Sequence, residues 1–397
     1  MISRAEALDL IAAHAPLLAT ESVPVAEASG RVLAEPVSAR LTQPPAAMSA
    51  MDGYAVRFAD CADLGTGFAL IGEAAAGSPF EGTLGAGETV RVFTGSVIPA
   101  GADHVVIQEE IETRDGRIFL TEAQEKPAHI RPAGIDFHEG QTLIEAGARL
   151  TSPALSILAA ANRAELTVRK RPKVALIANG NELKLPGATL GAGEIICSTP
   201  YGLAALIEGW GGTADFLGIA DDSEDAILAM IDKAAGADVI VPLGGASVGD
   251  YDYMKPAFAA RGLEILFSKI AIRPGKPTWF GRLGNARVLG LPGNPASALV
   301  CAHVFLRPLL AGMQGLTAPA PMVMAKAATT IASNGRRESF LRAKSHIDET
   351  GQVWVTPASD QDSSLLYPFL EADLLIRRPV DAPAVAAGET VACLRIG

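Results

Sequence analysis

The sequence predicts a multidomain protein of 397 residues in which α/β and α+β parts are combined. From residue 169 onward, apolar β-branched segments alternate with helical segments, which is typical of an α/β unit with a parallel-rich sheet covered on both faces. Residues 47–137 instead contain short apolar segments separated by Gly and Pro, and residues 319–397 show the same pattern. We therefore expect a central α/β unit, an inserted small β-rich unit and a C-terminal β-unit.

These changes along the chain predict four domains, because the length is too great for one ordinary hydrophobic core. A helical N-terminal domain is discontinuous, at 1–46 and 138–168, since the small β-rich domain at 47–137 is inserted into it. The α/β domain spans 169–315 and the C-terminal β-domain spans 319–397.

Composition and charge limit the classes of partner. Hydrophobic residues make up 49% of the chain and charged residues 19%, which is typical of a packed globular protein. The formal net charge of −11 argues against nucleic-acid or anionic-membrane binding, because no bulk positive field attracts a polyanion. The four cysteines have no CxxC spacing, and neither a signal peptide nor an apolar stretch of about eighteen residues stands out. We expect a cytoplasmic protein.

The individual elements are predicted in chain order as follows. A helix at 3–14 begins with a capping box formed by Ser3 and Glu6. The β-rich part has strand-like segments at 68–71, 89–93, 104–107 and 117–120, and a helix fits 153–162. In the α/β part we expect strands at 174–177, 213–219, 238–243 and 264–267, and helices at 201–210, 223–235 and 253–260, with Ser223 as a helix cap.

Three Gly- and Pro-rich segments lie within about fifty residues of one another. They are GGASVGDYD at 244–252, RPGKP at 273–277 and LPGNPAS at 291–297. The first follows a strand-like segment, and the third leads into an apolar helix after Pro295 whose free N–H groups would face an anion. Any one of these segments alone is more simply interpreted as an ordinary turn. Three of them around one sheet favour an anionic ligand.

The side chains in these segments suggest separate roles. The backbone amides of Gly244 and Gly245 and the hydroxyl of Ser247 are suited to a phosphate, whereas Asp250 and Asp252 provide the oxygen ligands that a divalent cation prefers.

With these motifs the chain resembles the molybdopterin molybdenumtransferase family, which includes bacterial MoeA and the E domain of gephyrin-type proteins. The matching segments cover almost the whole chain: MDGYAV at 51–56, TG at 94–95, PAGAD at 99–103, RPAGID at 131–136, and the three segments at 244–252, 273–277 and 291–297. The resemblance implies an elongated, L-shaped subunit in a homodimer, with a central molybdopterin-binding α/β domain. It also implies that the active cleft lies between this domain of one subunit and the small β-domain of the other.

The resemblance further implies the chemistry. Family members insert molybdate into adenylylated molybdopterin, with Mg²⁺ required and with release of AMP and molybdenum cofactor. Transfer contacts with the molybdopterin adenylyltransferase and with acceptor apo-enzymes are implied as well.

Candidate site residues follow from the residue chemistry and this likeness together. For catalysis they are Asp52, Asp136, Glu182, Asp250 and Asp252, and for Mg²⁺ they are Asp221, Asp222, Asp250 and Asp252. For the pterin substrate they are Thr94, Gly244, Gly245, Ser247, Lys276, Pro292, Gly293, Asn294, Pro295 and Ser297. Molybdate is a small dianion suited to Arg273, Lys276, Ser363 and an arginine of the pair Arg336–Arg337, with Arg336 as the candidate.

Several of these residues have a second interpretation that the sequence leaves open. Asp52 could instead cap the turn at Gly53, Asp136 could pair with Arg131, and Arg336 could be a solvated surface charge.

The chain also departs from the family pattern. Asn181 stands where an acidic residue is usual, and Cys197-Ser198-Thr199 replaces a segment that usually contains a carboxylate. Two lost carboxylates favour an alternative, a divergent paralogue that binds or carries the cofactor without inserting the metal. A scaffolding role like that of gephyrin is a third possibility, supported only by the expected dimer.

Overall fold

The computed structural model of the chain describes residues 1–244, 253–316 and 322–397. Within these ranges the strands form three six-stranded sheets and four two-stranded ladders. The Gly245, Ser247, Asp250 and Asp252 predictions lie outside the described residues.

The N-terminal part combines a helix with short ladders. Helix Arg4–His14 begins with the predicted capping box, in which the Ser3 hydroxyl accepts from the Glu6 N–H and the Glu6 carboxylate accepts from the Ser3 N–H. The other elements of this part are strands Thr20–Pro24 and Glu165–Arg169, strands Val37–Ser38 and Thr142–Ile144, the 3-10 helix Val25–Glu27 and helix Ser152–Ala160. Each strand pair is antiparallel, so residues far apart in sequence share one small core.

The inserted part contains a six-stranded sheet, as the close strand spacing predicts. In sheet order its strands are His104–Ile107, Gly53–Val56, Glu88–Val92, Gly67–Ala74, Arg117–Leu120 and Ile111–Arg114. The short strands Met48–Ser49 and Ile130–Arg131 pair with each other in antiparallel orientation. The 3-10 helices of this part are Phe58–Cys61 and Gln108–Glu110.

The α/β part has a mixed sheet rather than an entirely parallel one. Its strands, in sheet order, are Thr213–Ala220, Lys173–Asn179, Val239–Leu243, Ala286–Gly290, Trp279–Leu283 and Glu264–Phe267. The first four run parallel to one another, and Trp279–Leu283 runs antiparallel to both of its neighbours, so Glu264–Phe267 points in the same direction as the first four. Strand Trp279–Leu283 was not predicted. It turns back through Gly284 and Asn285, and a connection of two residues is too short for a parallel crossover.

Helices cover both faces of this sheet, as predicted. They are Thr199–Gly209, Glu224–Lys233, Met254–Ala260 and Pro295–Cys301, the last continuing through the π-helical turn Ala302–Leu306 into helix Arg307–Met313. Neighbouring strand residues divide between two cores: Leu176 packs with Leu203 and Phe305 on one face, whereas Ile177 packs with Ile227 on the other. Ser223 caps its helix by accepting from the Ala226 N–H.

One described helical stretch, Pro295–Met313, passes the length and composition criteria for a membrane span. Because 72% of that stretch is buried inside the structure, it has the environment of a core helix.

The C-terminal part is a small β-barrel that is joined to the α/β part. Its strands are Met322–Ala327, Glu338–Ile347, Val353–Pro357, Leu374–Arg378 and Thr390–Arg395, with the 3-10 helix Tyr367–Leu370. Pairing of Glu338–Ile347 with Leu374–Arg378 closes these five strands into a ring.

Two of the contacts between the barrel and the rest of the chain lie at the start of strand Glu338–Ile347. Strand Ile272–Arg273 adds in parallel to Glu338 and Ser339. Nearby, the buried Glu338 carboxylate pairs with Arg4, at 2.8 Å between Nε and Oε2, and with Arg377. One acid therefore links the first helix to two barrel strands.

Candidate active site

The first residues of two of the predicted segments, Gly244 and Leu291, lie close together at the carboxyl ends of the central strands. Leu243 bridges Leu291, and the Gly244 N–H donates to the Leu291 carbonyl at 3.2 Å. A Cβ on Gly293 would lie 3.4 Å from the Gly244 Cα, and Gly244 has φ of +93°, which only glycine adopts easily. Glycine at these two positions therefore allows the backbone at Gly244 and the backbone at Gly293 to approach each other closely at this edge.

The RPGKP segment packs against helix Pro295–Cys301, which follows the Pro292–Asn294 turn. Gly275 has φ of +109°, and a Cβ there would overlap the Cys301 sulfur. This close approach brings Lys276 to the Pro292–Asn294 turn. Lys276 lines both of the clefts described next.

The sheet-edge cleft has a volume of about 840 Å³ and lies over the carboxyl ends of the parallel strands. Its polar lining includes Asn179, Glu182, Thr199, Asp222, Lys269, Lys276 and Asn294, and its apolar lining includes Leu183, Ile195, Ile196 and Pro200. The apolar residues come from a loop that returns through the ladder of Leu183–Lys184 with Ile195–Ile196. The cleft thus offers both an apolar wall and a polar floor.

The barrel cleft has a volume of about 700 Å³ and lies between the α/β part and the barrel. Its polar lining includes Arg273, Lys276, Asn294, Ser297, Asn334, Arg337, Ser339, Arg342, Asp360, Gln361, Asp362, Ser363 and Arg378. Five of these are cations and two are acids, so the cleft is locally positive on a chain of net charge −11. Lys276, Pro277, Pro292 and Asn294 line both clefts and form their shared wall.

The Asp222 carboxylate of the sheet-edge cleft is held by neighbouring amides. The Asp222 carboxylate accepts from the Asn179 side chain at 2.9 Å and from the Asn181 N–H at 3.1 Å. The Asn181 side chain in turn accepts from the Asp222 N–H at 3.0 Å. Asn181, where the family usually has an acid, therefore joins the two loops. Glu182 lines the same cleft, whereas Asp221 is exposed beside it and is not part of its lining.

Among the residues that the structure describes, no group of three or more His, Cys, Asp or Glu side chains is arranged to hold a metal ion. Cys197 lines the cleft as a buried thiol. Burial, and next the charge of Glu182, raise the pKa of Cys197, so it stays protonated near neutral pH and cannot replace the missing carboxylate.

Ser363 joins the barrel to the start of the apolar helix. Its hydroxyl accepts from the Asn294 side chain at 2.8 Å, and its carbonyl accepts from the Ala296 N–H at 3.1 Å. The expectation that all free N–H groups at this helix start face an anion is therefore wrong for Ala296. Ser297 in the first turn is buried and lines the barrel cleft.

The buried Arg342 organises the loop that carries Ser363. Its guanidinium donates to the carbonyls of Leu365, at 2.5 Å, and Asp362, at 2.9 Å, with longer bonds to the Asp360 carbonyl and the Gln361 side chain. Burial lowers the pKa of Arg342, and the charges of Asp360 and Asp362 act in the opposite direction. Arg342 was not among the predicted site residues, because its role follows from burial in the barrel.

The two adjacent arginines, Arg336 and Arg337, lie in different environments. Arg337 lines the barrel cleft and donates to the Ile272 carbonyl at 3.5 Å, whereas Arg336 is exposed and outside the lining. Arg273 lines the same cleft and is exposed.

Three further candidates lie in or beside the inserted part and line neither cleft of their own chain. The Asp52 carboxylate accepts from the Thr94 N–H at 2.7 Å and hydroxyl at 2.8 Å, and these two bonds lower the pKa of Asp52. It thus caps the turn at Thr94 rather than the one at Gly53. Asp136 is exposed, and no ion pair with Arg131 occurs in the described part of the chain.

Sequence reasoning missed Asn334, Ser339 and Arg378, which also line the barrel cleft. They are separated in sequence and follow no motif, because strand pairing in the barrel is what brings them together.

Comparison with known proteins agrees with this arrangement. Residues 2–162 match the model of the MoeA N-terminal region (domain I and II), residues 175–312 that of a probable molybdopterin binding domain, and residues 324–396 that of the MoeA C-terminal region (domain IV). The α/β unit therefore belongs to the class of probable molybdopterin binding domains.

Full-length relatives narrow the class to a family. The chain is 35% identical over 376 residues to the molybdopterin molybdenumtransferase of Haemophilus influenzae, covering 94% of this chain and 93% of the relative. It is 32% identical to the enzyme of the same name from Nostoc, over 95% of this chain and 89% of the relative. A MoeA crystal structure from Pyrococcus horikoshii is similar over 100% of this chain and 99% of that chain, with a TM-score of 0.84 and 30% identity. The chain belongs to the molybdopterin molybdenumtransferase family.

Proposed function

We propose that this chain is a molybdopterin molybdenumtransferase of molybdenum cofactor biosynthesis, which inserts molybdate into adenylylated molybdopterin and releases AMP and molybdenum cofactor. The observation that carries the proposal is the wall that the two clefts share, formed by Lys276, Pro277, Pro292 and Asn294. Ligands bound on the two sides of this wall would be close enough to react. The family relationship supports the same chemistry.

In this proposal the barrel cleft holds molybdate. A small dianion is stabilised by fixed cations and hydroxyl donors. Arg273, Lys276 and Arg337 provide positive charge, and Ser363, fixed by Asn294, provides a hydroxyl at the shared wall.

The sheet-edge cleft would hold the adenylylated pterin. The closely packed turns at Gly244 and Gly293 let a phosphate approach the backbone, and Lys276 offsets its charge. The apolar wall that includes Leu183 and Ile195 gives a flat ring system a surface that excludes water.

The described residues fit a Mg²⁺ ion that is shared with the substrate rather than enclosed by protein. Mg²⁺ usually binds one or two carboxylates together with substrate phosphates, and Glu182 and Asp222 both line the sheet-edge cleft. Asn179 and Asn181 orient the Asp222 carboxylate while leaving acceptor positions free. When bound there, the ion would offset charge on the phosphate released with AMP. Asp250 and Asp252 remain further candidates.

We also propose that the protein works as a homodimer. Asp52, Thr94 and Asp136 line neither cleft of their own subunit, so they reach a substrate only if a second copy brings its inserted part to the cleft. Met51 and Ile135, adjacent in sequence to the two acids, are large apolar side chains exposed at 43% and 61%, as an interface requires. Supply of the adenylylated pterin by its adenylyltransferase, delivery to acceptor apo-enzymes and a cytoplasmic location belong to the same proposal.

Incubation of the pure protein with adenylylated molybdopterin, Mg²⁺ and molybdate tests the reaction. The proposal predicts release of AMP and formation of molybdenum cofactor. Retention of the pterin without turnover would instead identify a carrier protein.

A pair of variants tests the metal assignment. Asp222→Asn should lower the Mg²⁺-dependent rate of AMP release at least about tenfold, because it removes a charged oxygen ligand. Asp225→Asn is the matched control: Asp225 is an exposed acid in the first turn of the adjacent helix and lies outside the cleft lining. Equal rates in both variants would remove Asp222 from the site.

A further inference from the structure

Arg378 is a buried cation that has no countercharge among the residues that the structure describes. It is the last residue of strand Leu374–Arg378, is 5% exposed and lines the barrel cleft. Its Nη2 donates to the carbonyls of Ala332 and Pro383, whereas its buried Nε has no hydrogen-bond partner. None of the ion pairs between described residues includes it. Burial of an unpaired charge is costly, so a resident or transient anion is the expected compensation.

The residue next to it shows that the missing countercharge is specific to the cleft side. Arg377 projects from the opposite face of the same strand and pairs with Glu338, which also pairs with Arg4. The acid of this region is therefore already shared by two other arginines. Burial lowers the pKa of Arg378, yet a guanidinium stays protonated in proteins, so its charge persists.

Strand register places Arg378 in a row with Arg273. Ser339 pairs directly with Arg273 on one side and with Arg378 on the other. Residues directly opposite across neighbouring strands project from the same face, and two strand spacings separate the outer Cα atoms by roughly 10 Å. All three residues line the barrel cleft. Two guanidinium groups thus flank a serine on one wall.

Hydrogen bonds hold the middle of this row rigid. The buried Ser339 hydroxyl donates to Asn334 Oδ1 at 2.8 Å. The Asn334 amide nitrogen donates to the carbonyls of Arg337, Arg378 and Pro379, at 2.8, 2.9 and 2.7 Å. Asn334 thereby ties the Arg378 backbone to the loop before Glu338, and the wall is fixed before a ligand arrives.

We propose that Arg378 binds a tetrahedral oxyanion, molybdate, in the barrel cleft together with Arg273. This inference rests on the proposed function, and it adds a binding residue to those already named for the barrel cleft. A phosphate group has the same tetrahedral, dianionic chemistry. Gly244 and Gly293, where a phosphate can approach the backbone, line the sheet-edge cleft and not the barrel cleft, which favours molybdate as the occupant of the barrel cleft.

Isothermal titration of the full chain with molybdate tests the assignment. Arg378→Met should weaken molybdate binding about tenfold or more, because a charge-assisted contact is lost. Arg395→Leu is the control: Arg395 is an exposed barrel cation outside the cleft lining, and its removal should leave the affinity within about twofold. Titrations with inorganic phosphate and with AMP form the second arm, in which Arg378→Met should change binding less than it changes molybdate binding.

The outcomes separate this inference from the proposed function. Absence of molybdate binding by the wild-type chain would overturn both. Normal binding by the wild type and an unchanged affinity in Arg378→Met would overturn only the role of Arg378, and a selective loss of phosphate or AMP binding would assign it to the pterin substrate instead.

If Arg378→Met does not fold, as judged by circular dichroism, Arg378→Lys decides. Lysine keeps the charge but lacks the planar fork, so molybdate should bind at least about threefold more weakly. Equal affinity in this variant would count against the assignment.

Discussion

Replacement of Arg342 by Met should loosen the loop that carries Ser363. The side chain is 2% exposed and bonds four groups of residues 360–365, while its guanidinium lies 5.6 Å from the Phe369 ring centre. Met fills much of the same volume without any donor. The loop at 360–365 would then lose the hydrogen bonds that hold it against the barrel.

The structure sets the size of the effect. The bonds to the Leu365 and Asp362 carbonyls, at 2.5 and 2.9 Å, are short, and each bond from a charged donor contributes about 1.5–3 kcal/mol. The bonds at 3.3 and 3.4 Å add little. Removing a buried cation also removes its desolvation cost, so we expect a net loss of about 3 kcal/mol in the free energy of unfolding of the barrel. For a unit of this size the loss lowers Tm by roughly 12–24 °C.

Differential scanning calorimetry and molybdate titration measure the two consequences. The transition assigned to the barrel should move down, and molybdate should bind about tenfold more weakly, because Ser363 is no longer fixed. Lys344→Met is the control, since Lys344 is an exposed cation two residues along the same strand whose contact with Glu371 is 3.8 Å long. An unchanged barrel transition together with unchanged molybdate affinity would refute the supporting role of Arg342.

The remaining predictions concern the barrel and the shared wall. Glu338→Gln should lower the free energy of unfolding by about 2–4 kcal/mol in chemical denaturation, because it leaves Arg4 and Arg377 without their buried acid. The control is Glu112→Gln in an exposed pair, which should change the free energy of unfolding by less than about 0.5 kcal/mol. Hydrogen bonds from Thr350 and Trp354 lower the pKa of Asp348 from 3.8 to about 2. Its carboxylate therefore stabilises the fold above about pH 4, and this contribution is lost as the pH falls toward 2. In Asp348→Asn the free energy of unfolding should depend less steeply on pH in that window. Lys276→Ala should raise both the molybdate concentration for half-maximal insertion and the Kd for AMP, because Lys276 lines both clefts, and an effect on only one ligand would assign it to one side of the wall.

Local signals in the sequence predicted much of the fold. The Ser3–Glu6 capping box and the Ser223 cap depend on residues three apart, and strands 104–107 and 117–120 are bounded by turn residues, so neighbouring positions define them. Strand Trp279–Leu283 was missed because its apolar residues directly follow the RPGKP turn. Its antiparallel direction depends on a pairing that composition does not reveal.

The candidate site was predictable where a motif carries it and not where folding assembles it. Gly244, Lys276 and Asn294 belong to compact motifs, and all three line the sheet-edge cleft. Arg342 and Arg378 are separated from those motifs, and their significance arises from burial in the barrel. The choice between Arg336 and Arg337 depended on the direction of one side chain, which a pair of adjacent arginines does not reveal.

A crystal structure of the chain soaked in molybdate, with the anomalous signal of molybdenum recorded, tests the central claim most directly. We expect a molybdenum peak in the barrel cleft, within hydrogen-bonding distance of Lys276 or Ser363. A peak confined to another surface, with the barrel cleft holding only water at saturating molybdate, would contradict it.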